Sequence, residues 1–265
     1  RYGACRDGVR FDSYDPEIRV CSAFLALAEA AVFYSACPNP RGITQPDNRV
    51  PTMVDRASIA VLERVPLFES FEVDELTGLA SVLSLQKFAR NALVILAEDQ
   101  GDSFFIIRTG KVKVSVTGPD GREIILSILG PGEFFGELSL LDGHPRSADV
   151  TTTERTELLV IRRSDFVRVI EDYPVIPTRL MVTLATRLRK SDRQVAGLAL
   201  LGISERISSV LLTLAEEQGE ETENGIVIAK RPTHQVLASM VGTTRETVTR
   251  VMKRLADEGY IRVDG

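Results

Sequence analysis

Apolar and polar positions along the chain follow two different rhythms, and the changes between them mark out its organisation. Residues 55–65 and 73–84 place apolar side chains at helical spacing, so two short helices are expected there, joined by a linker that carries Phe68 and Phe71. From residue 92 the period drops to two. Alternating runs at 92–97, 103–109, 111–117, 123–129, 148–153 and 157–162 read as strands. Glycine-bearing turns separate them, and eight of the 19 glycines fall between positions 101 and 143. Closely spaced strands punctuated in this way predict a compact antiparallel barrel or roll.

Helical spacing then returns. Ser164 can cap a short helix that runs to Asp172, and Pro174 and Pro177 introduce a long one reaching about Leu201. Its apolar seam runs through Leu180, Leu184, Leu188, Ser191, Val195 and Leu198, at spacings of three and four. Such a stripe seeks a partner helix. It could instead pack on the chain's own roll, but about 25 residues at 1.5 Å each give about 37 Å, more than a small roll spans. Dimerisation through this seam is therefore expected. Gly202 breaks the seam and marks a hinge, and Ser204 is placed to cap the next helix, which ends near Glu217. A strand at 226–229, helices at 233–241 and 244–258 with Gly242 between them, and the beginning of a strand at Tyr260–Val263 follow.

Composition narrows the class. With 265 residues, 44% apolar and 26% charged, the chain suits two folded domains and is not largely disordered. Its best candidate for a membrane span, Val20 to Tyr34, is too short and is interrupted by Glu29, so no membrane partner is expected. Residues 1–52 differ from the rest: they hold six arginines, no lysine and all three cysteines, Cys5, Cys21 and Cys37. They read either as a regulatory extension or as a stretch upstream of a natural start at Met53, and no fold is expected of them. A body without cysteine suits a reducing cytoplasm. The expected organisation is an extension over 1–52, a roll over 53–173, a long helix and hinge over 174–202, and a C-terminal domain over 203–265.

Inside the roll, the window Phe134 to Ala148 (FFGELSLLDGHPRSA) groups residue types suited to an anion. Gly136 permits close backbone approach, and a short helix from Glu137 to Leu141 would offer its free N–H groups. Arg146 supplies a planar fork that matches phosphate, with Ser147 and the small Ala148 beside it. Glu137 would repel a phosphate unless it faces elsewhere, for instance towards a sugar hydroxyl.

Net charge, at −5, argues against nucleic acid when taken as an average. Its distribution reverses that. Residues 230–254 contain six basic side chains and one acid, Glu246, a local balance of +5. They fall on two short helices around Gly242, a helix–turn–helix pattern whose second member begins with Arg245, Glu246, Thr249 and Arg250 on its outer side. Arginine can bond guanine, glutamate can accept from cytosine, and Lys253 or Arg254 can bind phosphate. Only His144 and His234 are available for general-base work, no nucleophile–base pair is evident, and an enzyme is not expected.

Both windows resemble the Crp–Fnr family of transcription regulators, over roughly residues 55–263. The resemblance implies an α+β chain: an N-terminal cyclic-nucleotide-binding β-roll, a long dimerisation helix and a C-terminal winged helix–turn–helix. It implies that Gly136, Leu138, Ser147 and Ala148 surround a cyclic phosphate, that Arg146 neutralises it and that Glu137 holds the ribose 2′-hydroxyl. Two polar positions that reach the base, one from each subunit, fall at Ser191 and Asp192. Asp192 departs from the family's usual hydroxyl: a carboxylate could accept from an exocyclic amine or could disfavour the nucleotide. Arg245, Glu246 and Arg250 match the base-reading positions of the cyclic-AMP receptor type, while Thr249 replaces a small residue. The implied protein is a cytoplasmic, allosteric homodimer that answers to a cyclic nucleotide, cAMP foremost, and binds palindromic double-stranded DNA, with RNA polymerase as a further partner. The alternatives are a Crp–Fnr-type regulator with a vestigial or different effector site, and a nucleotide-binding module without DNA work. The family's iron–sulfur branch uses clustered N-terminal cysteines; here the three are evenly spaced without a fourth, so neither a cluster nor another metal is expected.

Overall fold

A computed structural model describes residues 56–222, 225–229 and 231–263. The expectations for residues 1–52 and their cysteines lie outside the described residues. Two helices open the described chain, α1 (Arg56–Leu62) and α2 (Val73–Ser81), with a 3-10 turn at Pro66–Phe68 between them. A reciprocal pair of bonds between Glu72 and Glu75 satisfies donors at the start of α2. Helix α2 stops at Ser81, because the residues after it enter a strand that the helical periodicity concealed.

That strand is β1 (Ser84–Phe88). It is followed by β2 (Leu93–Ile95), β3 (Ser103–Thr109), β4 (Val112–Thr117), β5 (Glu123–Leu129), β6 (Phe134–Phe135), β7 (Asp149–Thr152) and β8 (Thr156–Arg162). They form two antiparallel four-stranded sheets, ordered β1-β8-β3-β6 and β2-β7-β4-β5. The expected roll is present, and its core explains why β3 and β8 read as nearly continuous apolar runs. Phe105, Ile107, Leu158 and Val160 point into the interior of the roll with Val112 and Val150. Their neighbours Phe104, Ile106, Leu159 and Ile161 point the other way, into a second cluster with Leu62, Leu76, Phe166, Ile176 and Leu180 from the helices. A sheet buried on both faces needs apolar residues at every position. Phe104 is the keystone of the outer cluster, with ring centroids 5.2 Å from Phe134 and 4.7 Å from Phe166.

Between β6 and β7 lies the short helix α3 (Glu137–Asp142); after β8 come α4 (Arg163–Asp172) and α5 (Val175–Leu200). Ser164 is not the cap of α4, which starts one residue earlier with Arg162 in the cap position. The 26 residues of α5 split the apolar seam. Leu180 is buried and Leu184 packs on the core of the roll. Leu188 and Val195, in contrast, are 64% and 63% exposed, and Leu198 and Leu200 are exposed as well. Own-roll packing and an open stripe are therefore successive stretches of one helix.

Gly202 ends that helix and occupies the cap position of α6 (Ile203–Gln218), its N–H bonded to Glu205 Oε2 at 2.6 Å. Ser204 lies inside the first turn instead, and its hydroxyl accepts from Arg254 Nη2 at 2.7 Å. A hairpin of β9 (Glu220–Thr222) and β10 (Gly225–Val227) follows, then α7 (His234–Val241) and α8 (Arg245–Asp257). The acidic composition around Glu220 and Glu221 hid β9, which is exposed throughout. The strand expected at Tyr260–Val263 is absent: the segment has no strand partner, and Ile261 instead packs on the C-terminal core of Ile207, Leu214, Leu237, Val248 and Met252.

Phe104→Ala removes the ring shared by Phe134 and Phe166, and is expected to lower stability by about 3–5 kcal/mol. Urea unfolding of the roll measures this as an earlier midpoint.

Candidate effector cassette and DNA-reading helix

The cassette is assembled by the ends of β3 and β6. Gly136 takes the left-handed conformation at φ 84° as it passes from β6 into α3, a turn that a side chain would strain. Arg146 folds back underneath. Its Nη1 donates to Gly136 O at 2.8 Å and its Nη2 to Ser103 O at 2.7 Å, and only 6% of the residue is exposed. The main chain of Arg146 is pinned as well: its N–H donates to Asp99 O and its carbonyl accepts from Glu98 N, both at 2.9 Å. Burial pushes the guanidinium below its ordinary range, with Asp102 and Glu137 pulling it back up. Arginine remains a cation through such a shift, and its fork holds more N–H donors than these two bonds use.

Gly101 makes the seat possible. A Cβ there would run into Arg146 Nε and lie 2.8 Å from Ser139 Cβ. Sequence reading took Gly101 only as a turn residue; its offset from Arg146 in sequence gave no sign that the two meet. Arg187 was missed in the same way. Glu137 is 97% buried, with 3% exposure, and accepts from Arg187 Nη1 at 2.8 Å. Arg187 Nη2 donates to Phe134 O at 2.6 Å while the guanidinium lies 4.7 Å from the Phe134 ring centre. The residue stands one turn before Ser191 on α5, and that register was the available signal.

Gly136, Glu137 and Arg146 are thus brought together, and Ala148, two residues after the arginine, is buried. Leu138 and Ser147 are exposed around them. Ser191 and Asp192 are exposed on α5. Ser191 shares a helix face with Arg187, which reaches Glu137, and with Gln194, whose amide donates to Leu126 O on β5 at 3.1 Å. Ser191 also lies within the open seam, between Leu188 and Val195, and Asp192 lies about 100° away around the helix.

The second site is the exposed side of α8. Thr233 caps α7 through Val236 N, and Thr244 caps α8 through Thr247 N. Gly242, left-handed at φ 68°, makes the turn between them. Arg245, Glu246, Thr249, Arg250 and Lys253 are exposed together and line one shallow groove. Backbone and Thr244 hydrogen bonds hold the Glu246 carboxyl below its usual range, so it remains a carboxylate acceptor. The threonine hydroxyl differs from the others: Thr249 Oγ1 donates to Arg245 O at 2.9 Å within the helix and meets His234 Nδ1 at 2.9 Å. Of the two phosphate candidates, Lys253 is exposed in the groove, and Arg254 is exposed with one of its N–H groups given to Ser204. Among the described residues, no group of three metal-binding side chains occurs, and no helix is long and apolar enough to cross a membrane.

A buried arginine cassette in an antiparallel roll, followed by a long helix and an exposed reading helix, defines a regulator that couples a small-molecule sensor to DNA. Comparison with known proteins agrees. The cyclic nucleotide-binding domain model matches residues 85–173 and the Crp-like helix-turn-helix domain model residues 205–265. A CRP-like cAMP-activated global transcriptional regulator of Mycobacterium tuberculosis is 33% identical, over 77% of this chain and 92% of its own. The cyclic AMP receptor protein of Thermus thermophilus is 34% identical over 75% and 88% respectively. Among solved structures, the c-di-GMP responsive global regulator CLP of Xanthomonas campestris shares the fold at a TM-score of 0.63 and 24% identity, covering 73% of this chain and 96% of its own. The chain belongs to the Crp–Fnr family of DNA-binding transcription regulators, a class of non-enzymes.

Thr244→Ala removes the α8 cap and is expected to cost about 1 kcal/mol. Thermal unfolding of the full chain reads this as a lower midpoint for the C-terminal domain.

Proposed function

We propose that this regulator is a homodimer gated by a cyclic nucleotide, with cAMP as the first candidate, and that it acts on palindromic operators. The observation that carries the reading is the Arg146 seat: a buried cation, fixed by two carbonyls and two glycines, beside a buried Glu137. A guanidinium held in this way offers its remaining donors to a phosphate, and the first-turn N–H groups of α3 add to them. Glu137, steered by Arg187, is the acceptor for a ribose hydroxyl. Ser191, one turn beyond Arg187 on α5, is the candidate partner for the base. The effector must bind the DNA-competent arrangement better than its rival, otherwise it shifts nothing. In that arrangement two copies of α8 stand about 34 Å apart, one turn of DNA.

The exposed stripe of Leu188, Val195 and Leu198 supports the dimer, because a single copy leaves it in water. A second reading, a regulator of the same build with another effector, is favoured by one feature, the Asp192 carboxylate beside the base position. A solved structure of the same fold, 24% identical, is described as a c-di-GMP responsive regulator.

Titration calorimetry with cAMP, cGMP and c-di-GMP separates the two readings. Heat with cAMP that is lost in Arg146→Ala and Gly101→Ala, in proteins that remain folded dimers, is the expected result; no heat with either cyclic mononucleotide refutes the effector assignment. Leu188→Glu combined with Val195→Glu is expected to turn the dimer into a folded monomer in sedimentation equilibrium, and a dimer that survives both changes places its interface elsewhere.

A further inference from the structure

The two helices of the DNA-reading motif are joined at a polar point that the base-contact assignment leaves unused. His234, the first residue of α7, places Nδ1 2.9 Å from Thr249 Oγ1, and that oxygen lies 2.9 Å from the Arg245 carbonyl oxygen one turn earlier. A threonine hydroxyl has one proton to give. Were it given to the imidazole, two oxygens bearing only lone pairs would face each other across the helix turn. Given to the Arg245 carbonyl, it leaves a lone pair of Oγ1 free to accept from an Nδ1–H, and both contacts are satisfied.

We infer that His234 carries its proton on Nδ1 and is a positioning residue for the DNA-reading edge of α8, acting through Thr249. Nδ1–H is present both in this neutral tautomer and in the imidazolium, so the bond persists whichever state Nε2 adopts. Thr249 spends its only donor inside the helix and therefore donates to no base. A hydroxyl bonded to the carbonyl four residues back competes for that carbonyl with the helix's own N–H, and here it does so in the turn that carries Arg245, Glu246 and Arg250. His234 fixes the rotamer that makes this bond. A guanidinium pairing with a base in two places tolerates little displacement, so the latch acts on discrimination between bases rather than on charge. The inference rests on Arg245, Glu246 and Arg250 being the base-reading set.

Two measurements on the full chain test it. With 15N-histidine labelling, and His144→Gln to assign the signals, long-range proton–nitrogen correlation at pH 8 is expected to show His234 protonated at Nδ1; a predominant Nε2–H form overturns the hydrogen-bond assignment. Affinities are then compared for the preferred operator and its single-base variants. His234→Ala is expected to lose about two- to tenfold of the discrimination at the base position that responds to Arg245→Ala, as one hydrogen bond warrants. His234→Asn, with an amide N–H near the Nδ1 position, restores it, Thr249→Ser keeps it, and His234→Ala adds nothing to Thr249→Ala. A uniform fall on every sequence refutes positioning and leaves a stabilising role. If Arg245→Ala and Arg250→Ala leave all base preferences untouched, the reading set itself fails and the inference falls with it. If they alter preference while His234→Ala does not, the latch alone is refuted.

Discussion

A buried positive charge organises the sensor half of the molecule. Moving a guanidinium out of water is costly unless its donors are met, and at Arg146 they are met by carbonyls at the ends of two strands, Ser103 on β3 and Gly136 after β6. Those carbonyls can point inwards only because Gly136 turns left-handed and because Gly101 leaves room for the side chain. The strand ends, both glycines and the start of α3 are therefore consequences of one seat. Lysine, a point charge without a fork, could not satisfy two divergent carbonyls from that position.

The seat also connects outwards. Glu137 follows Gly136 directly, and its bond to Arg187 ties the cassette to α5, while Gln194 ties the same helix to β5. Further along, Lys190 pairs with Glu217 of α6 at 3.2 Å, and Leu198 reaches the Gly242 turn, where a Cβ would touch its Cδ2 at 3.6 Å. Arg206, just past the hinge, donates to Val241 O at the end of α7, and Ser204 accepts from Arg254 on α8. Both helices of the reading motif are thus held by the first turn of α6. The motif is positioned by the residues immediately following Gly202 and by packing of α7 on β5, so a rotation at that hinge that carries both helices together must also part α7 from the roll.

Local chemistry made much of this legible in the sequence. Period-two runs, glycine turns and the threonine caps at Thr233 and Thr244 are short-range signals, and the roll and the helix–turn–helix followed from them. Arg146 and Glu137 stood out as candidates because a glycine, a short helix start and a planar guanidinium fall within one window, Phe134 to Ala148. What escaped depends on contacts distant in sequence. Gly101 and Arg187 serve the cassette from across the fold, and β1 continues a helical rhythm until pairing with β8 makes it a strand. Ser164 and Ser204 carry the right side chain for a cap, yet in each case the helix begins one residue before the serine, and at α6 the carboxylate of Glu205 accepts from the N–H of the cap residue Gly202 instead.

The divided seam of α5 bears most directly on how a signal could pass. Because Leu180 and Leu184 are committed to the core of the roll, the first half of the helix moves with the sensor as one body. The exposed half, from Leu188 onwards, lies outside the core of the roll and is held by Gln194 on β5, Lys190 on α6 and Leu198 at the Gly242 turn, so its packing can change without disturbing that core. Arg187 and Ser191 stand at the junction of the two halves. An effector bound at Arg146 and Glu137, as proposed, would therefore meet α5 where a rigid segment gives way to an adjustable one. A hydrogen bond at that point can bias the arrangement of the distal half, whereas the same bond near Leu180 would be opposed by the whole apolar core.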